Sequence, residues 1–188
     1  MAELYRGVTL RVSQWMAIGL FDVVLLVAQA GCGNGAAPSG GEVQEPARGP
    51  QPAETITFEI KGKAFELELA LDDDARAQGL SDRRSIAEDG GMIFIFPYAR
   101  STQFVMRRCY VPIDLIYVDD DGYIDSLHAM EVIEPIGGPR WESPTRGYPT
   151  VGRILYAIEL KGGMIAELGL KRGEKLGLSP ELLQLKAQ

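Results

Sequence analysis

Apolar and polar positions alternate through residues 56–60 and again through residues 64–71, with Lys61-Gly62-Lys63 between the two runs. Period-two alternation on either side of a turn signal predicts a hairpin with one face in water. Asp72-Asp73-Asp74 then precedes Ala75-Arg76-Ala77-Gln78 and Gly79. Acidic residues at the start and glycine at the end are the electrostatic and conformational bookends of a short helix. Capping accounts for the three carboxylates better than a metal does. Ser81-Asp82-Arg83-Arg84 and Ala87-Glu88-Asp89-Gly90 read as a polar turn, or a second helical turn. The pattern then becomes continuously apolar in Met92-Ile93-Phe94-Ile95-Phe96, and apolar again in Phe104-Val105-Met106 and residues 113–118. Branched and aromatic residues bounded by turn-formers predict three strands at the centre of the domain.

Beyond this centre, Asp119-Asp120-Asp121-Gly122 separates two apolar runs and reads as a hairpin turn. A calcium loop would need further oxygen ligands at set spacing, and Glu131 is off register for one. Residues 134–150 carry four prolines and three glycines around Trp141 and Tyr148. Long loops of this kind tend to be functional, so the aromatics form a binding lip unless Trp141 closes the core. Residues 154–160 read as a buried strand, Gly162-Gly163 leads into a short helix over residues 164–168, and residues 173–178 make a last turn and strand. The tail from Ser179 is expected to fray. The expected fold is mainly β (α+β), a single compact barrel- or sandwich-like domain over residues 56–178 with two or three short helices.

The 188 residues are 46% hydrophobic and 24% charged, enough for one domain with a core plus appendages. A formal charge of −7 argues against nucleic acid, because phosphate contacts need clustered Lys and Arg. It equally disfavours attachment to an anionic membrane by charge alone. The N-terminus offers another route to a membrane. Arg6 and Arg11 precede an apolar run over residues 15–30, followed by Ala28-Gln29-Ala30-Gly31-Cys32. A basic region, a short apolar core and small residues make a secretory signal. With a cysteine next, residues 1–32 resemble a bacterial lipoprotein signal, which implies Cys32 as the lipid-carrying residue. Gln29 stands where an aliphatic residue is usual, and Asp22 would cost roughly 2.5–3.5 kcal/mol at a bilayer centre. Residues 33–55 contain almost nothing to bury and predict a disordered tether with an r.m.s. span of about 25 Å. The expected partners are a membrane, through this anchor or signal, and an envelope ligand or protein. The head is expected to be a monomer.

Chemistry-bearing residues are few. Asp114 lies between Ile113 and Leu115, on the face of its strand that carries Ile116 and Val118. A buried carboxylate there needs a partner, for which Arg107 and Arg108 are nearest in sequence. Glu159 is a second carboxylate in an apolar setting. The two cysteines are Cys32 and Cys109, so neither a disulfide scaffold nor a cysteine-based zinc site is on offer. Cys109 and His128, the sole histidine, would make a nucleophile only if they met; an inert core position is the plainer reading of Cys109. No phosphate loop, metal cluster or cofactor motif is present.

The chain carries Arg76 with Gly79-Leu80, Gly91-Met92-Ile93-Phe94-Ile95-Phe96-Pro97, Phe104-Val105-Met106-Arg107, Pro112-Ile113-Asp114, and Tyr156-Ala157-Ile158-Glu159-Leu160 with Gly163. Together these spaced motifs resemble the DUF192 family, small bacterial and archaeal domains often found behind export signals. Val105 replaces an aromatic that is usual in the family, Cys109 stands where Thr is usual, and Glu174 replaces a frequent Asp. The resemblance implies a compact, mostly β domain and supplies no chemistry. The resulting expectation is a non-catalytic, lipid-tethered envelope domain whose cleft is lined by Met106, Arg107, Asp114, Trp141 and Glu159. The alternative is a hydrolase that uses Asp114 and Glu159 as acid and base on an envelope glycan.

Overall fold

A computed structural model describes residues 54–178 together with Leu182, Leu185 and Ala187. The segment expected to be an export signal, with Cys32, and the expected tether up to residue 53 lie outside the described residues. The elements in chain order are β1 (Thr55–Ile60), β2 (Lys63–Ala70), α1 (Asp73–Gln78), β3 (Gly90–Arg100), β4 (Gln103–Phe104), β5 (Ile113–Val118), β6 (Ile124–Met130), α2 (Pro139–Glu142), β7 (Tyr148–Pro149), β8 (Ile154–Lys161) and α3 (Met164–Glu167).

Six strands form one open sheet in the order β1-β2-β3-β8-β5-β6, and β4 pairs with β7 in a separate two-stranded ribbon. The sheet does not close into a barrel; segments packed on both faces give it its layered, sandwich-like α+β character. The β1–β2 hairpin forms as its alternation predicts, with Phe58 opposite Phe65. β2 and β3 run parallel, which requires a crossover, and α1 with the polar loop after it supplies that. All other pairings in the sheet are antiparallel. Gly91 sits where β8 crosses close to β3: an added Cβ would lie 2.4 Å from the Glu159 carbonyl oxygen and 2.8 Å from a Leu160 methyl. Only glycine permits that approach.

The central strands are buried on both faces, so their sequences read as apolar runs rather than alternations. One face gathers Phe58, Phe65, Leu67, Ile93, Ile116 and Ile158 beneath α3 and the C-terminal segment. The other gathers Met92, Phe94, Met106, Leu115, Tyr117 and Ala157 beneath Leu80 and Tyr148. The run Phe104-Val105-Met106 is not a third central strand; Phe104 ends β4, paired with Tyr148, while Met106 is fully buried against the sheet. The tail does not simply fray, because Leu182 is buried in the first face, with Leu185 and Ala187 packed against it.

Asp114 is 1% exposed on that first face. Its partner is not an arginine. Oδ2 accepts the backbone N–H groups of Gly163 at 3.0 Å and Ile165 at 2.6 Å, the opening turn of α3. A helix start leaves amides without intrahelical acceptors, and a carboxylate satisfies them while its charge complements the dipole. Asp114 therefore fastens α3 to the sheet. Replacing it with Ala orphans two amides and is expected to cost about 2–4 kcal/mol in urea unfolding. An unchanged midpoint would show that the bonds contribute nothing.

Candidate functional site

The second face opens into a cleft of about 390 Å³ between α1, the middle of β3 and the segment after β4. Its origin can be traced to Pro97. Proline has no N–H to give a ladder, and the β3–β8 register breaks between Ile95 and Arg100. Such a break re-aims the side chains beside it. Phe96 and Arg100 both line the cleft. Arg76 secures the break from the helix side, donating to the carbonyls of Leu71 and Ile95, the latter at 3.0 Å, while also pairing with Asp73 at 2.8 Å.

The floor is aromatic. Phe104 meets Phe94 edge-on at 4.8 Å between centroids and Tyr117 at 5.5 Å. One wall is α1 and the turn that ends it. Asp72 caps the helix through the Ala75 N–H at 2.7 Å, and the helix stops at Gly79, with φ 52° and ψ −142°, a conformation open to glycine. A Cβ at Gly79 would sit 3.3 Å from Glu159 Oε2 and 3.4 Å from the Phe94 ring. The opposite wall, through Arg107 and Arg108, is tied down from both sides. Arg108 forms a two-nitrogen ion pair with Asp82, whose N–H donates to the Arg108 carbonyl at 2.9 Å. The Trp141 indole donates to the Cys109 carbonyl at 3.0 Å, and the Arg108 N–H donates to the Trp141 carbonyl.

Glu159 is the unusual group in this cleft. It is 6% exposed, on the same face as its lateral neighbours Met92 and Leu115. Oε2 accepts the Leu80 N–H at 3.2 Å. Burial pushes its pKa up to about 7, against the opposing pull of that N–H and of Arg83, whose guanidinium is paired with Glu68. The cleft thus holds a carboxyl group that titrates near neutrality.

Of the five expected site residues, Arg107 and Glu159 line the cleft; Met106, Asp114 and Trp141 do not. Met106 and Trp141 are buried; Trp141 closes the core instead of forming the expected binding lip. The two acids lie on opposite faces, since Leu115 pairs with Glu159 and Asp114 with Leu160. They cannot flank one groove, which removes the acid–base pair of the hydrolase reading. The thiol reading falls as well. Cys109 is buried, with burial and then the charges of Glu159 and Asp82 pushing its thiol up to about 12, so it is protonated at neutral pH. His128 is engaged elsewhere, its Nε2 2.9 Å from the Pro149 carbonyl and its ring against Tyr117 and Tyr148. Among the described residues no three His, Cys, Asp or Glu side chains converge as a metal site. Arg76, Arg100, Phe94 and Phe104 are cleft residues that the chain order did not single out. The signal available was Arg76 and Gly79 at fixed spacing before an apolar run that ends in proline.

The fold and these motifs place the molecule in a class of small α+β domains with a mixed, doubly covered sheet. The chain belongs to the DUF192 family, described as uncharacterized ACR, which matches residues 56–178. No curated protein matches it. A crystal structure of a protein of unknown function from Novosphingobium aromaticivorans DSM 12444 is similar, with 27% identity and a TM-score of 0.57 over 71% of this chain and 90% of that one. A second, provisionally described as a transcription regulator from Sinorhizobium meliloti 1021, is 29% identical with a TM-score of 0.52, over 64% of this chain and 88% of that one.

The pKa of Glu159 makes stability depend on pH. Between 4.5, its ordinary value, and about 7, the folded protein keeps a proton that the unfolded chain has released. Stability contributed by neutral Glu159 is full below that window and is lost as pH rises through it, about 3 kcal/mol in all. Glu159→Gln stays neutral, so the difference in unfolding free energy between variant and parent should grow by that amount between pH 4 and pH 8. A constant difference would assign the titration to another group.

Proposed function

We propose that the chain is an exported, membrane-tethered envelope protein whose head binds a small ligand in the cleft and does not transform it. The observation that carries this reading is the cleft itself: an aromatic floor and a buried carboxyl group between two walls fastened by hydrogen bonds. Ligand sites are concave, largely apolar and supplied with a few placed polar groups. Catalysis by an acid–base pair or by a thiolate finds no support, since Asp114 faces the other side of the sheet and Cys109 is protonated. The family and the neighbour of unknown function assign no reaction.

The description of the Sinorhizobium protein as a regulator raises DNA binding as another reading. The described helices here span four to six residues, shorter than a helix that reads a major groove, and the chain carries a charge of −7. Both weigh against it. Export rests on the basic, apolar and small-residue succession ahead of Cys32, and tethering on the polar stretch that follows. A head held this way samples the space beside a membrane while its cleft stays open.

Two experiments test the reading. Saturation-transfer NMR of the protein with small-molecule extracts of bacterial envelopes should show bound compounds, lost with Phe104→Ala and recovered chemically unchanged after hours. A changed compound would make the head an enzyme, and no bound compound would remove the ligand reading. Separately, expression in a bacterium fed labelled palmitate should label the full chain but not Cys32→Ser. Equal labelling, or none in the parent, would refute the lipid anchor.

A further inference from the structure

We propose that the ligand is a small organic anion, an apolar ring that carries one carboxylate or phosphate group. The inference rests on the cleft being a ligand site and adds the chemical class of what it holds. In a chain of net charge −7, the cleft brings together three arginines, Arg76, Arg100 and Arg107. Its acids are Asp73 and Glu159. Asp73 is committed to Arg76, which is itself held by two carbonyls and contributes its field rather than a free fork. Arg107 donates one nitrogen to the Ala77 carbonyl at 3.0 Å. Arg100 lies 5.8 Å from the Phe96 ring centroid and 5.9 Å from that of Tyr98. Neither Arg100 nor Arg107 has a carboxylate within ion-pair distance among the described residues.

Guanidinium groups match carboxylate and phosphate oxygens in shape and charge, and such charge-assisted bonds are about twice as strong as neutral ones. Phe104, half-buried, and the edge of Phe96 offer apolar surface for a ring beside them, backed by the buried Phe94. A volume of about 390 Å³ holds one ring with its substituents. Glu159, when protonated, presents a donor to an anion instead of a repelling charge.

The test titrates the full chain at low salt with benzoate, phenyl phosphate, benzamide and benzylamine, following the amide NMR signals of Gly79, Leu80 and Val105. At least one of the two anions should move these signals and bind about tenfold or more tighter than benzamide, with affinity falling as salt rises. Whichever anion binds tighter identifies the headgroup as carboxylate or phosphate. Arg107→Gln and Arg100→Gln should each lower anion affinity about tenfold and leave benzamide unchanged. Arg107 also braces α1, so Arg100→Gln, whose contacts are ring faces, is the variant that separates charge from folding. Equal or tighter binding of benzamide or benzylamine would overturn the anion inference and leave the ligand-site reading standing. Anion binding indifferent to both substitutions would overturn it too. If no probe moves these amides, both the inference and the ligand-site reading fall.

Discussion

Two carboxylates enter the two apolar faces of one sheet, and backbone N–H groups admit both. A charge taken from water is costly unless its oxygens are hydrogen-bonded. Asp114 receives two amides from the start of α3, and Glu159 receives one from Leu80. Each bond ties a covering segment to the central strands: α3 on one side, the turn that ends α1 on the other. The layers are therefore fixed by polar contacts at their centre as well as by apolar area. The same contacts give the two acids different parts. Asp114 is sealed beneath the helix it holds, whereas Glu159 has a single amide, an elevated pKa and an open cleft before it.

The cleft exists because β3 cannot pair throughout its length. Gly91 permits close packing against β8 at one end of the strand, and Pro97 interrupts the ladder towards the other. Past the break, Phe96 and Arg100 line open space. Arg76 holds its near edge by bonding the last regular carbonyl, that of Ile95. The residues on which the family resemblance rests thus work as one assembly: Arg76 holds the break in β3, Gly79-Leu80 sit over Glu159, and Phe104 closes the floor. The family pattern marks the construction of the cleft more than it marks a set of reacting groups.

Rigidity follows from how the walls are joined. Asp82 and Arg108, both at positive φ, exchange side-chain and backbone bonds, and Trp141 grips the next residue along. Preorganised walls lower the ordering cost that a ligand would otherwise bear. The long loop over residues 134–150 serves this purpose. Its tryptophan faces inward to brace the site rather than outward as a lip.

Local order was legible in the sequence because it depends on near neighbours. Alternation fixed which side chains of β1 and β2 share a face, the Asp72 cap and Gly79 bounded α1, and the apolar runs located β3, β5 and β8. The same period of two placed Asp114 beside Ile116 and Val118. What lay above that face was not legible. The amides of Gly163 and Ile165 come from about fifty residues away, and no charge pattern announces a backbone donor, so an arginine looked the natural partner. The parallel pairing of β2 with β3, the displacement of Phe104 from the main sheet and the burial of Leu182 likewise depend on which distant segments meet. Periodicity assigns a residue to a face, but only the packed chain decides what that face touches. For that reason Asp114 and Glu159, alike in sequence as lone acids in apolar strands, end as a structural fastening and a cleft residue.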